Sequence, residues 1–425
     1  TGETIKASEY FADQSEHRID EIHSKRRELS KVKLTGEKRW VCNLCHQRIL
    51  IGGGKGKDKR KLHFRHPPSE TNCPYQDHKS IPPDIVRRMK YNGAKESKKH
   101  HKLKHLIAHL LAEDPLLNSA PGIEETYFLQ DEGKNWRRPD VRCIRNNLNL
   151  FFEVQISTDY IDVIVGREED YRSDGGYIFW VYDCFDPDSF TAKGCYVGNQ
   201  KNLFIFSERV QEQSLESGRL LLECHFKKPI IKSGNFIDQW CSIDVTLDDL
   251  IFNSDSKQAY YFPYDDELGK LQMQKLRADF EEYWCEQRHL LDVDDRQYFD
   301  EKFETRLREI LGEQSSRFFH SQASMLINYF YSLKRKVPLN TKQNFYGLTD
   351  TVLQNRKRFT YIILLAIGAF GFKDDLWERD AFQKKYKYYR ANRDSKEFKV
   401  DYRFDGLLKF LFPEIVQRLL AIKNC

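Results

Sequence analysis

Residues 148–156 read Leu-Asn-Leu-Phe-Phe-Glu-Val-Gln-Ile, and Arg138-Pro139-Asp140 stands shortly before them. A nearly continuous apolar run of this length is the signature of a central strand covered on both faces. Glu153 and Gln155 break the run. Burying a carboxylate and an amide is costly unless each has a partner, so the pair marks a pocket in the sheet. Side chains alternate along a strand, which sends Glu153 and Gln155 to the same side. Residues 140–144 form the preceding strand, and Arg145-Asn146-Asn147 is the turn of a hairpin. That hairpin sets Asp140 and Glu153 side by side.

Working outward, residues 125–129 read as a further strand and 96–112 as a helix. Leu103, Leu106, Ile107, Leu110 and Leu111 fall at i, i+3, i+4, i+7 and i+8, and Pro115 stops the helix. Glu96, His100 and Lys104 are spaced i, i+4, i+8 and share one helical face. After the hairpin, residues 159–172 read as a helix that ends at Gly175-Gly176. Strands follow at 177–182, 203–206 and 220–226. This order gives an α/β core with a mixed sheet.

The residue types suit phosphodiester hydrolysis. A divalent cation neutralises the anionic phosphorus centre and acidifies the attacking water, and Mg²⁺ prefers oxygen ligands. Asp140, Glu153 and the carbonyl of Val154 are the candidate ligands. Gln155 is placed to orient water, and Arg137 and Arg138 to hold a phosphate.

Before the core, residues 5–35 are highly charged and read as helical. Cys42-x2-Cys45 is followed by His66 and Cys73 in a Gly- and Pro-rich stretch. That spacing fits a closed, structural Zn²⁺ site. His63 competes with His66 for the third place, and His66 is preferred because it leads into Pro67-Pro68. The alternative is three buried free thiols. Beyond about residue 255 the chain is rich in charged helical stretches, at 268–311, 318–333, 358–372 and 407–422. Aromatic and basic residues interleave at 384–390, Lys-Lys-Tyr-Lys-Tyr-Tyr-Arg. Base stacking is one reading, and an amphipathic helix with snorkelling cations is the preferred one.

Of 425 residues, 40% are hydrophobic and 31% charged, which predicts more than one globular domain. The longest apolar run, 361–372, is too short for a bilayer span of ~20 residues. Charged residues mixed through the N-terminus argue against a signal peptide. Scattered cysteines predict a reducing, cytoplasmic setting. The net charge of +5 is modest, yet basic clusters at 55–61 and 95–104 suit phosphates. Gly52 to Lys57 is Gly- and Lys-rich but lacks the spacing of an ATP-binding loop.

The ordered set CNLC, HFRH, Cys73, ESKKHHKLK, RRPDV, FFEVQIS, REEDY and IFWVY resembles the CoiA-like competence nucleases, a branch of the PD-(D/E)xK superfamily. The resemblance covers roughly residues 38–185. It implies a restriction-endonuclease-like mixed sheet, Mg²⁺ (or Mn²⁺) dependence, a DNA substrate and a prokaryotic host. It implies Asp140 and Glu153 as metal ligands, Glu96, His100 and Lys104 on the site helix, and Arg167 and Tyr171 on the next helix. Gln155 stands where most of the superfamily has Lys, so catalytic competence turns on whether Lys104 compensates.

The expected organisation is an N-terminal helical segment (1–37), a zinc-binding module (38–82), a nuclease-like α/β domain (91–255) and an all-α domain (260–425). The expected function is a DNA nuclease in phage defence, DNA uptake or mobile-element processing. A non-catalytic DNA-binding subunit and an RNA-directed nuclease are the alternatives. A partner ATPase or helicase, or self-association, is the role expected for the C-terminal domain.

Overall fold

The computed structural model describes residues 5–13, 15–35, 40–42, 47–53, 62–67, 97–129, 136–156, 161–312, 318 and 321–423. It divides into two compact units, Thr1–Leu271 and Gln272–Cys425.

In the first unit the elements run α1 (Glu16–Thr35), α2 (Lys98–Ala112), β1 (Gly122–Ile123), β2 (Val141–Arg145), β3 (Leu148–Gln155) and α3 (Ile161–Ser173). They continue as β4 (Tyr177–Tyr182), α4 (Phe190–Val197), β5 (Asn202–Ile205), α5 (Glu208–Ser217), β6 (Leu222–Lys232) and β7 (Asn235–Val245). The strands form one mixed seven-stranded sheet, in the order β7-β6-β5-β4-β3-β2-β1. The neighbours β1, β2 and β3 are antiparallel, whereas β3, β4 and β5 run parallel. Among the described residues, three short two-stranded ladders lie outside it: Leu50–Gly52 with His63–Arg65, Tyr127–Phe128 with Trp136–Arg137, and Ile251–Asn253 with Gln258–Tyr260.

The hairpin of β2 and β3 follows from its turn. Asn146 and Asn147 both adopt left-handed backbone, with φ of 48° and 63°, as a two-residue turn between twisted strands demands. Register is then fixed, with Val141 opposite Phe152 and Arg145 opposite Leu148. Alternation divides the side chains of β3 between the two faces. Leu150, Phe152 and Val154 join Leu103, Ile107, Leu110 and Leu111 of α2 in one core. Phe151 joins Ile164 and Tyr171 of α3 and Tyr196 of α4 in the other. Each fully buried side chain of this size contributes roughly 1.5–3 kcal/mol. Gly176 opens β4 because a side chain there would collide with the Phe151 ring.

α1 packs on α3 and α4, and the contact is unusually polar. Asp20, His23, Arg26, Arg27 and Ser30 are buried beside Ile22 and Leu29. Arg27 pairs with Glu168 of α3 and donates to the Gly194 carbonyl of α4. Asp20 accepts from Lys227 of β6 at 2.7 Å and from the Tyr196 hydroxyl at 3.0 Å. Lys201 reaches Asp238 at 2.8 Å and the Tyr264 hydroxyl at 2.9 Å, closing a buried network around the end of the sheet.

The second unit is helical throughout its described residues. α6 (Tyr264–Glu282), inside which the division falls, is followed by α7 (Val293–Leu311), α8 (Ser321–Arg335), α9 (Phe345–Asn355) and α10 (Thr360–Ala369). Then come α11 (Lys373–Trp377), α12 (Asp380–Asn392), α13 (Asp405–Leu411) and α14 (Pro413–Lys423). Two stretches that read as continuous helices are each broken. The stretch 268–311 passes through a π-helical turn, Tyr283–Gln287, and restarts where Asp292 caps α7 by accepting from the Asp295 N–H at 2.8 Å. The stretch 407–422 is cut at Pro413, which suits the first position of a new helix. No helix of the described residues is long and apolar enough to cross a membrane.

Buried His23 yields a pH dependence. Burial, reinforced by Arg26 and Lys193 against the opposing pull of Asp20, lowers its pKa to about 3. The unfolded chain therefore takes up a proton near pH 6.5 that the folded chain refuses. Stability is full above that value and falls as pH drops toward 3. Urea unfolding at about pH 7.5 and about pH 5 should show a loss on the order of 2 kcal/mol from this group. His23→Gln should flatten that limb, and an equally steep loss in the variant would refute the assignment.

Candidate functional site

The N-terminal turn of α2 is set by Ser97, whose hydroxyl accepts from the His100 N–H at 3.1 Å. His100 is thereby held in the first turn, facing the hairpin. Its Nε2 lies 3.2 Å from Asp140 Oδ2 and 3.1 Å from the Val154 carbonyl oxygen. The same Asp140 oxygen accepts the Val154 N–H at 2.8 Å. Both neighbours of the imidazole nitrogen are acceptors, so Nε2 carries a hydrogen in this arrangement.

One helical turn on, Lys104 is 1% exposed and donates to Glu124 Oε1 at 2.6 Å. Glu124 has left-handed backbone, with φ of 50°, a conformation that costs a non-glycine residue about 1 kcal/mol or more. Its N–H donates to the Asp140 carbonyl at 3.2 Å, and Arg138 donates to its carbonyl. Lys104–Glu124 and His100–Asp140 thus form two adjoining pairs at the end of the hairpin. Sequence reasoning missed Glu124, and one carboxylate after a two-residue strand carries no signal that would reveal it.

Glu153 belongs to the other face. It is 1% exposed, its carboxylate pairs with Arg167, and it accepts the Tyr171 hydroxyl at 2.8 Å. Burial, the Glu153 charge and this hydrogen bond all push the Tyr171 hydroxyl far above its ordinary pKa, so it stays a donor. Gln155 is also buried. Arg137 pairs with Asp170 of α3, while Arg138 remains 60% exposed at its side chain and open to a solvent-borne anion.

Residues 84–265 match a family model described as Domain of unknown function (DUF6035), and residues 2–80 match a second, Domain of unknown function (DUF7830). No curated protein and no solved structure matches the chain. The candidate site lies wholly within the 84–265 match. α1 lies within the 2–80 match, so the buried pairs made by Arg27 and Asp20 join the two matched regions.

The structure therefore brings His100 to Asp140 and Val154, pairs Lys104 with the adjoining Glu124, engages Glu153 with Arg167 and Tyr171 of α3, and buries Gln155. Glu96, Cys45 and Cys73 lie outside the described residues. Cys42 is buried; its N–H donates to the Gln47 carbonyl at 2.8 Å, and Ile49 N–H donates to Trp40 at 2.9 Å. His66 is partly buried. Among the described residues no group of three or more His, Cys, Asp or Glu is gathered as a metal set.

The partners of Glu153 give a stability test. Arg167→Ala leaves a buried carboxylate short of its cation and should cost about 2 kcal/mol in thermal or urea unfolding. Adding Glu153→Gln should restore much of that loss. Equal instability of the single and double variants would show that the charge is not what Arg167 serves.

Proposed function

We propose that the first unit is a Mg²⁺-dependent DNA nuclease with a restriction-endonuclease-like core. The observation that carries this reading is the convergence of Asp140 Oδ2 and the Val154 carbonyl on one point, 3.2 and 3.1 Å from His100 Nε2. The order of elements supports it: a helix, three antiparallel strands, a helix, then a strand parallel to the third.

One anionic and one main-chain oxygen aimed together are donors of the kind a hard divalent cation takes, and such an ion would take the place that the His100 Nε2–H fills between them. Asp140 and Val154 would hold it, and Glu153, engaged by Arg167 and Tyr171 in this arrangement, would serve as the further ligand only on leaving Arg167. Glu153 directly follows Phe152, which pairs with the Val141 that directly follows Asp140. Bound there, the cation would neutralise phosphate charge and acidify a water.

The remaining groups have distinct tasks. Arg138, exposed beside Glu124, binds a backbone phosphate of the substrate. Gln155 offers hydrogen bonds alone and orients water. Lys104 supplies the positive charge that Gln155 lacks. His100 holds the Asp140 carboxylate and the Val154 carbonyl together and is the nearest group able to carry a proton.

A structural zinc ion held by Cys42, Cys45, His66 and Cys73 is part of the same proposal. The main-chain bonds from Cys42 to Gln47 and from Ile49 to Trp40 pair the chain on the two sides of Cys42-x2-Cys45, which supports a CxxC ligand pair. A second reading, DNA binding without cleavage, draws on the engagement of Glu153 by Arg167 and Tyr171.

The purified protein, offered duplex DNA, single-stranded DNA and RNA with Mg²⁺, should degrade DNA. Asp140→Ala and Glu153→Ala should each lower the rate by a factor on the order of a hundred or more. Cleavage by both variants at the unsubstituted rate would sink the catalytic assignment. A gel shift without cleavage by the unsubstituted chain would favour the binding reading, and cleavage of RNA alone would redirect the substrate. Elemental analysis should find about one zinc per chain, lost in Cys42→Ser. A metal-free protein that is folded would remove zinc from the proposal.

A further inference from the structure

The second unit carries a cavity of about 930 Å³ between α10, α11, α12 and α14. That is the size of a small-molecule site. Four cations line it: Lys373, Arg390, Arg393 and Arg418. A single carboxylate, Asp374, stands among them. Among the described residues, no carboxylate pairs with Lys373, Arg390 or Arg418, and Arg393 has only its exposed neighbour Asp394, at 3.6 Å. The floor is aromatic. Trp377, 39% exposed, meets Tyr386 edge-on at 5.1 Å, and Tyr389 lies one turn along α12. Burial holds the Tyr389 hydroxyl above its ordinary pKa against the opposing pull of Arg393 and Arg390.

A second cavity, about 430 Å³, shares Phe382, Tyr386 and Tyr389, yet two of its cations are already engaged, Lys357 by Glu397 and Lys385 by Asp350. The larger cavity is therefore the one whose charge is unspent.

We propose that the cavity between α10, α11, α12 and α14 binds a nucleotide unit, its base set against the aromatic floor of Trp377, Tyr386 and Tyr389 and its phosphate held by Arg390 and Arg418. Aromatic faces accept any base, and guanidinium groups suit phosphate oxygens. The unit is either a free nucleotide or one residue of a single strand. This inference does not depend on the nuclease reading, because every group named lies in the second unit.

The test is calorimetric titration of the full chain, in EDTA to prevent cleavage, with ATP and with a single-stranded oligodeoxynucleotide of about twelve residues. At least one probe should bind. Arg390→Ala/Arg418→Ala should weaken that binding about tenfold or more, and Trp377→Ala severalfold, with the circular dichroism unchanged. Lys387→Ala/Lys396→Ala, which removes equal charge outside the cavity, should alter affinity by no more than about twofold. Binding of ATP identifies the free nucleotide as the source, and binding of the oligonucleotide alone identifies a strand. The proposal is overturned if neither probe binds, if the arginine pair is without effect, or if both double variants weaken binding equally.

Discussion

The hairpin of β2 and β3 constrains everything around it, because β3 is covered on both faces and every second side chain must satisfy a different neighbour. Apolar residues meet this demand by packing. Glu153 meets it through Arg167 and Tyr171, which ties the rotation of α3 to the register of the strand. On the opposite face, His100 of α2 reaches the main chain of the next residue, Val154. Consecutive residues of one strand thus fasten the two helices that cover the sheet. A slip of one residue would place a carboxylate in the apolar core under α2.

The polar docking of α1 follows the same logic on a larger scale. An ion pair buried this deeply is weak evidence for net stability, since desolvation offsets much of the Coulomb attraction. Its specificity is stronger evidence. Arg27 requires Glu168 and Asp20 requires Lys227, and an unpaired member of either pair costs several kcal/mol. Misplacing α1 on α3 and α4 is therefore penalised more heavily than an apolar contact would be. Two regions matched by separate family models are consequently parts of one packed unit.

The sequence revealed what periodicity controls. The strands 140–144, 148–156 and 177–182, the helix on Leu103 and Ile107, and the Asn146-Asn147 turn are all present, because local pattern and tertiary environment agree there. The hairpin to β7 was not legible. Its burial alternates weakly and much of β7 is exposed, so no apolar face announces it. α1 read only as a highly charged helix, and its packed face was not legible because it is made of charges whose partners lie far along the chain. Within the site, Asp140 and His100 were legible from spacing. Glu124 was not, since its role depends on a left-handed backbone that brings it to Lys104.

Position 155 frames the remaining chemical question. Phosphoryl chemistry needs a cation near the phosphate, and the need concerns location rather than the strand that supplies it. Lys104 stands one helical turn from His100, is almost wholly buried, and is paired with Glu124 at 2.6 Å. The Glu124 side chain is 37% exposed, so the carboxylate is the accessible member of the pair. In the nuclease reading, an incoming phosphate competes with Glu124 for the ammonium and gains a partner that water cannot reach. Gln155, neutral and buried, then adds no second positive charge that would have to be paired when substrate is absent. In that reading, a cation on the helix rather than on the strand is compatible with folding, and Glu124 is the group that a substrate would displace.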